Sequence, residues 1–196
     1  MEPNPPLAYP DICPEFEAIR LRPFESRDLG MVRDLASDPY VCQVSSVVEN
    51  SDDADATAWL TRQRQRLEDG VGYSFCIARR NETGDDIALG QAGLWLKDRN
   101  HGRATAGYLV ASAVRGAGVA GAALRALTGF AWTLPDLHRV ELHIEPWNTA
   151  SLRTAAGAGY QREGLLRSHQ VIGAARVDME LWAAIRCPEP ARPASE

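Results

Sequence analysis

The stretch "GYLVASAVRGAGVAGAALRALTGFAW", residues 107–132, decides the architecture. It begins with a short apolar run through Val110, the length and character of a strand end. It closes on a helical period, in which Val119, Ala122, Ala123, Ala126, Leu127, Phe130 and Ala131 recur at i, i+3, i+4 and i+7 spacing. Between them, Gly116 to Gly121 reads G-x-G-x-x-G letter for letter. Glycines at a helix start leave backbone N–H groups open to a phosphate, because no Cβ holds the anion away. Two readings use this physics. The six letters alone are the fingerprint of a dinucleotide turn. With Arg115 in front, "RGAGVA" fits a second pyrophosphate-cradling pattern.

The flanks separate these readings. A dinucleotide turn sits almost at the end of its strand, in the first β-α-β unit. Here Ala111 to Arg115 intervene after Val110, and too little chain follows Gly118 for a second nucleotide-binding half. Glu145 does end the next strand, so a nicotinamide oxidoreductase keeps some support, and a turn with no ligand is the bland alternative.

Working outward, "EAIRLRPF" (17–24) alternates apolar and charged residues and predicts a strand. Ser26 then caps a helix with Leu29, Val32 and Leu35 inward. Asp52, Asp53 and Asp55 start a second helix, carrying Trp59, Leu60 and Leu67 and ended by Gly70. Residues 73–80 and 87–97 are strands around the turn "NETGDD". "DRNHGR" turns the chain into a strand at 104–111. The long helix stops at Pro135. "HRVELHIE" (138–145) is a strand, Asn148 caps a short helix to Ala158, and Gly159 ends it. Residues 160–167 and 175–185 are the last strands, joined through Ile172 and Gly173. The order β, α, α, β, β, β, α, β, α, β, β is α/β (α+β), not a regular β-α alternation.

The chain has 196 residues, 45% of them apolar and 24% charged, which suits one soluble domain with a core of its own. Residues 1–14 read as an extended proline-rich lead-in, 15–186 as the domain and 187–196 as a tail. The formal charge of -5 argues against duplex nucleic acid as a partner. Cys13, Cys42, Cys76 and Cys187 are scattered and the four histidines lack metal-ligand spacing, so no metal is expected. Scattered cysteines, no signal peptide and no membrane-length apolar run point to a cytoplasmic protein.

Read with "HRVELHIEPWNTASLRTAAGAGYQREGLLR" (138–167), the deciding stretch resembles the GNAT acetyltransferase superfamily. It looks most like the RimJ/RimL-like branch, which acetylates ribosomal-protein N-termini. The resemblance spans about residues 17–185. Arg115, Gly118 and Ala120 fill the fixed places of the family's Q/R-x-x-G-x-G/A loop. Asn148, Ser151, Gly159, Tyr160, Glu163 and Gly164 stand where that branch has N-x-x-S, a glycine-aromatic pair and E-G. The resemblance implies a mixed, mostly antiparallel sheet of about seven strands flanked by about four helices. It implies acetyl-CoA as cosubstrate and an amine acceptor, either a peptide N-terminus or a small molecule. A homodimer is compatible with it.

By the same resemblance the pantetheine arm lies along Leu109 and Val110. The pyrophosphate sits on the amides of Gly116, Ala117, Gly118, Val119, Ala120 and Gly121. Arg115 either adds charge or only caps the loop, and Asn148 holds the strand ends or the pantetheine. Ser151 either protonates the leaving thiolate or supports its helix start. Relatives outside the branch carry a tyrosine where this chain has Ala155. The usual glutamate base, two residues before Gly107-Tyr108, is Thr105, which takes no proton at neutral pH. Glu141 and His143 share a strand face and are candidates to line the acceptor cleft; the bland reading is a polar strand face. The leading function is an N-acetyltransferase, and a degenerate domain that senses or binds acyl-CoA is the second class.

Overall fold

The computed structural model describes residues 6–81 and 84–187. Glu82 and Thr83 of the expected turn, residues 1–5 of the expected lead-in and residues 188–196 of the expected tail lie outside them. Among the described residues, eight strands form one sheet: β1 (Glu15–Phe16), β2 (Ile19–Arg22), β3 (Gly72–Arg80), β4 (Asp86–Trp95), β5 (Arg103–Val110), β6 (Arg139–Ile144), β7 (Gln161–Ile172) and β8 (Ala175–Ile185). Five α-helices accompany them: α1 (Leu29–Ala36), α2 (Pro39–Val44), α3 (Asp53–Glu68), α4 (Val119–Ala131) and α5 (Thr149–Gly157). The sheet order is β1-β2-β3-β4-β5-β6-β8-β7, antiparallel throughout except between β5 and β6.

Strand β3 shows why the sheet is covered on both faces. Side chains alternate along a strand. Tyr73, Phe75 and Ile77 enter the cluster that packs on α4, while Cys76 and Ala78 enter the one built by α1 and α3. Phe130 of α4 sets its ring edge-on to Tyr73 and Phe75, with centroids 4.7 and 5.4 Å apart. Burial of such a side chain is worth about 1.5–3 kcal/mol. Both clusters therefore pin the central strands, and the sheet's next feature depends on them.

That feature is a split. Strands β5 and β6 pair in register only from Arg103–Arg139 to Thr105–Glu141. Beyond Thr105 they diverge, and the β5 edge from Ala106 to Val110 has no strand partner on that side. On its other side β5 is paired with β4 from Thr105 to Val110. β4 is irregular at Leu89, which lies between the pairs Ile77–Gly90 and Ala78–Ala88 with β3. A Cβ at Gly90 would lie 2.1 Å from the Leu109 carbonyl oxygen, so this close approach needs glycine.

Three local readings are corrected. Ser26 is not an N-cap: it starts a 3-10 turn, and the Glu25 N–H donates to Asp28 Oδ2 at 2.8 Å. The expected strand 17–24 is shorter, because Glu17 turns the chain with φ 54° between β1 and β2. Helix α2 was not foreseen, since six residues are too few to show a period. Its cap is Asp38, whose carboxylate accepts from the Tyr40 N–H at 2.9 Å.

Candidate active site

The split between β5 and β6 opens into a cleft of about 1050 Å³. One wall is the free β5 edge, including Leu109 and Val110. The floor continues through the loop into the first turn of α4, with Gly116, Gly118, Val119, Ala120 and Gly121 on the lining. The other wall is β6 and the start of α5, with His143, Asn148 and Ser151. Of the residues expected at the site, Ala117 and Glu141 are outside this lining. Glu141 accepts from Arg139 Nε at 2.6 Å, and Arg139 also holds Glu163.

The loop has the shape an anion needs. Gly116 and Gly118 have φ of 80° and 77°, the left-handed region that side chains resist. Gly118 is the N-cap of α4, and no side chain caps it. The first helical bond runs from Ala122 N to Gly118 O at 3.1 Å, so the Val119, Ala120 and Gly121 amides have no intrahelical acceptor. No acidic residue stands in that turn to answer the helix dipole. A Cβ at Gly116, Gly118 or Gly121 would meet nothing within 4 Å, so the space before these amides is open. A pyrophosphate fits this cradle.

Two acids from the opposite face hold the loop. Asp34 of α1 accepts from Ser112 N at 2.7 Å and Ser112 Oγ at 2.9 Å. Arg115 donates through Nε to Val110 O at 3.2 Å and ion-pairs with Asp38 at 2.7 Å. Burial alone would raise the Asp38 carboxyl, but the Arg115 bond and two helix amides hold it below the ordinary value. Arg115 thus braces the loop against α2.

Further along the cleft lies a cluster of hydroxyls. Asn148 caps α5 by accepting from Ser151 N at 3.1 Å. The Tyr108 hydroxyl is buried without a hydrogen bond of regular geometry, and the Ser151 and Thr154 hydroxyls stand beside it. Burial raises the Tyr108 phenol, which stays protonated at neutral pH. Tyr108 escaped the sequence reading because it lies 43 positions from Ser151 and meets it only across the split. His143 stacks on His169 at 4.9 Å, brought across by the irregular stretch of β7. Burial, and then His169, lowers the His143 pKa, so its ring is neutral at pH 7.

Residues 18–161 match the family model described as "Acetyltransferase (GNAT) domain". The chain belongs to the GNAT acetyltransferase family. Among curated relatives of this GNAT protein is the "Uncharacterized N-acetyltransferase p20" of Bacillus licheniformis. It is 27% identical over 170 residues, 87% of this chain and 94% of the relative. Among solved structures, RimJ of Mycobacterium smegmatis in complex with CoA-disulfide superposes with TM-score 0.70 at 26% identity, covering 85% of this chain and 81% of that one. RimL, a ribosomal L7/L12 alpha-N-protein acetyltransferase solved with coenzyme A, gives TM-score 0.73 at 17% identity over 89% and 98% of the two chains. The last likeness concerns the fold alone. The GNAT sheet, with one parallel pair, ends the nicotinamide reading of Gly116–Gly121. No helix among the described residues is long and apolar enough to cross a membrane.

Proposed function

We propose that this GNAT enzyme transfers the acetyl group of acetyl-CoA to a primary amine by direct attack. One observation carries the reading: a strand edge without a partner and, after the short loop that follows it, an uncapped, glycine-lined helix N-terminus line a single cleft. The amides of Gly116 to Gly121 hold the pyrophosphate. The β5 edge at Leu109 and Val110 bonds the pantetheine, and a β5 N–H near Val110 stabilises the oxyanion. Bound acetyl-CoA supplies an activated acyl carbon. Asn148 keeps the start of α5 in place beside it.

The leaving sulfur needs a proton. A serine hydroxyl is a far weaker acid than a phenol, whose ordinary pKa is about 10. Ser151 therefore acts best as a relay, with Tyr108 behind it as the source, in the role relatives outside the branch give to a tyrosine at the Ala155 position. The resemblance of residues 107–167 to the RimJ/RimL-like branch supports a peptide α-amine as acceptor. The test is acetyl-CoA turnover with a panel of N-terminal peptides and small amines, followed by thiol release. Acetylated product formed at a rate set by both components supports the reading. Cofactor binding with no turnover on any amine removes it.

A further inference from the structure

At the end of β6 a carboxylate enters the cleft with no cation beside it. Glu145 is 7% exposed and forms no ion pair among the described residues. Its contact is the Tyr40 hydroxyl, which donates to Oε2 at 2.5 Å. Burial and this carboxylate push the Tyr40 phenol far up, so it remains a donor. Tyr40 packs edge-on against Trp147, with centroids 4.9 Å apart. Trp147 is 60% exposed, and all three residues line the cleft. A buried carboxylate is costly without a positive partner. Aromatic rings stabilise a cation within about 6 Å. The arrangement lacks only the cation.

We propose that Tyr40, Trp147 and Glu145 form an acceptor clamp that takes the amine as its ammonium ion, and that Glu145 receives the proton before attack. The proposal rests on the acetyl-transfer reading above and specifies the acceptor's charge state and the base. R–NH₃⁺ gives one proton to the Glu145 carboxylate, leaving R–NH₂ and a carboxylic acid. The nitrogen lone pair then forms the C–N bond, and the C–S bond breaks with its electron pair on sulfur. The second nitrogen proton travels to that thiolate through the hydroxyl cluster, and Glu145 returns the first to water. Thr105 is thereby replaced as base by a residue at the opposite edge of the split.

The other charged or titratable groups around Glu145 do not fill this role. Asp38 and Arg115 are paired with each other. Glu180, opposite Ile144 on β8, is paired with Arg162 at 3.0 Å. His143, two residues back, is stacked on His169, and Arg153 of α5 is exposed.

The first test is calorimetric titration of CoA-loaded protein at pH 7 with n-butylammonium and with n-butanol as its neutral counterpart. The wild type should bind the ammonium at least 10-fold more tightly. Glu145→Gln should erase that preference and keep the affinity for CoA. The second test is the pH profile of kcat/KM for an acetylated amine. Glu145→Gln should lower it about 100-fold or more at pH 7, within the range of general-base contributions. In the wild type the profile levels off below the amine's own pKa. Tyr40→Phe should weaken the ammonium preference seen in the first test, because the carboxylate loses the hydroxyl that holds it, whereas a merely structural tyrosine would leave that preference in place. No ammonium preference in the wild type, or one that survives Glu145→Gln, overturns the clamp. A Glu145→Gln profile that keeps the inflection overturns the proton transfer. Failure of CoA itself to bind is a separate result that takes down the acetyl-transfer reading and the clamp with it.

Discussion

Gly118 carries two requirements at once, a φ of 77° and an open approach to the α4 amides. They separate by substitution. Gly118→Ala places a side chain in a left-handed conformation, at a cost of about 1–2 kcal/mol. Gly118→Glu adds a negative charge where a pyrophosphate would sit. We expect the glutamate variant to fold and to lose acetyl-CoA binding by calorimetry, and the alanine variant to lose much less. Equal affinities in the wild type and Gly118→Glu would take the loop out of the site. For the hydroxyl cluster, Ser151→Ala and Tyr108→Phe should each lower kcat by about 10–100-fold or more with acetyl-CoA affinity kept. If Ser151 relays and Tyr108 supplies, the double variant should cost little more than the worse single one, as groups acting as a unit do. Fully multiplicative losses would separate the two roles. The glycine pair and the Asn148 cap were legible in the sequence, because each acts within a few residues of itself. Tyr108 beside Ser151 and Tyr40 on Glu145 were not, because both contacts cross between elements.

Helix α1 is fixed by a buried pair the sequence pattern does not reveal. Arg22 donates two bonds of 2.8 Å to Asp28, and the Asp28 side chain is 1% exposed. Breaking such a pair on one side costs about 3–5 kcal/mol, so Asp28→Asn should lower unfolding stability by that order in a denaturant titration. Burial would raise the Asp28 carboxyl, but the Arg22 bonds and the Glu25 amide hold it below its ordinary value of 3.8. The folded pKa being depressed, the contribution is complete above that ordinary value. It is lost as pH falls below it through the folded value. Stability measured from pH 6 down should therefore fall steeply only under about pH 4, and less so in Asp28→Asn. The same rigidity serves the site, because α1 and α2 supply Asp34 and Asp38 to the loop. Helix existence was readable from the 3.6-residue period in α3 and α4. Helix α2 was too short for any period, yet it carries Tyr40 and is capped by Asp38.

At the scale of the molecule, the order of strands and helices was legible, since β6 alternates cleanly, β3 and β4 flank a run of turn-forming residues and α4 has a complete apolar stripe. The split between β5 and β6 was not, because it is a property of pairing and neither strand's residues announce it. Its position follows from three registers together: β4–β5 pairing along Thr105–Val110, β6–β8 pairing along the whole of β6, and only three residue pairs between the halves. The central claim is that this split holds acetyl-CoA and delivers its acetyl group to an amine. The most direct measurement is a single-turnover reaction of the purified protein with acetyl-CoA and an N-terminal peptide amine, reading free thiol and acetylated peptide together. The account predicts equal amounts of both, appearing only when protein, cofactor and amine are all present, and abolished by Gly118→Glu. Tight acetyl-CoA binding with no acetylated product from any amine would contradict it and make the protein an acyl-CoA-binding module.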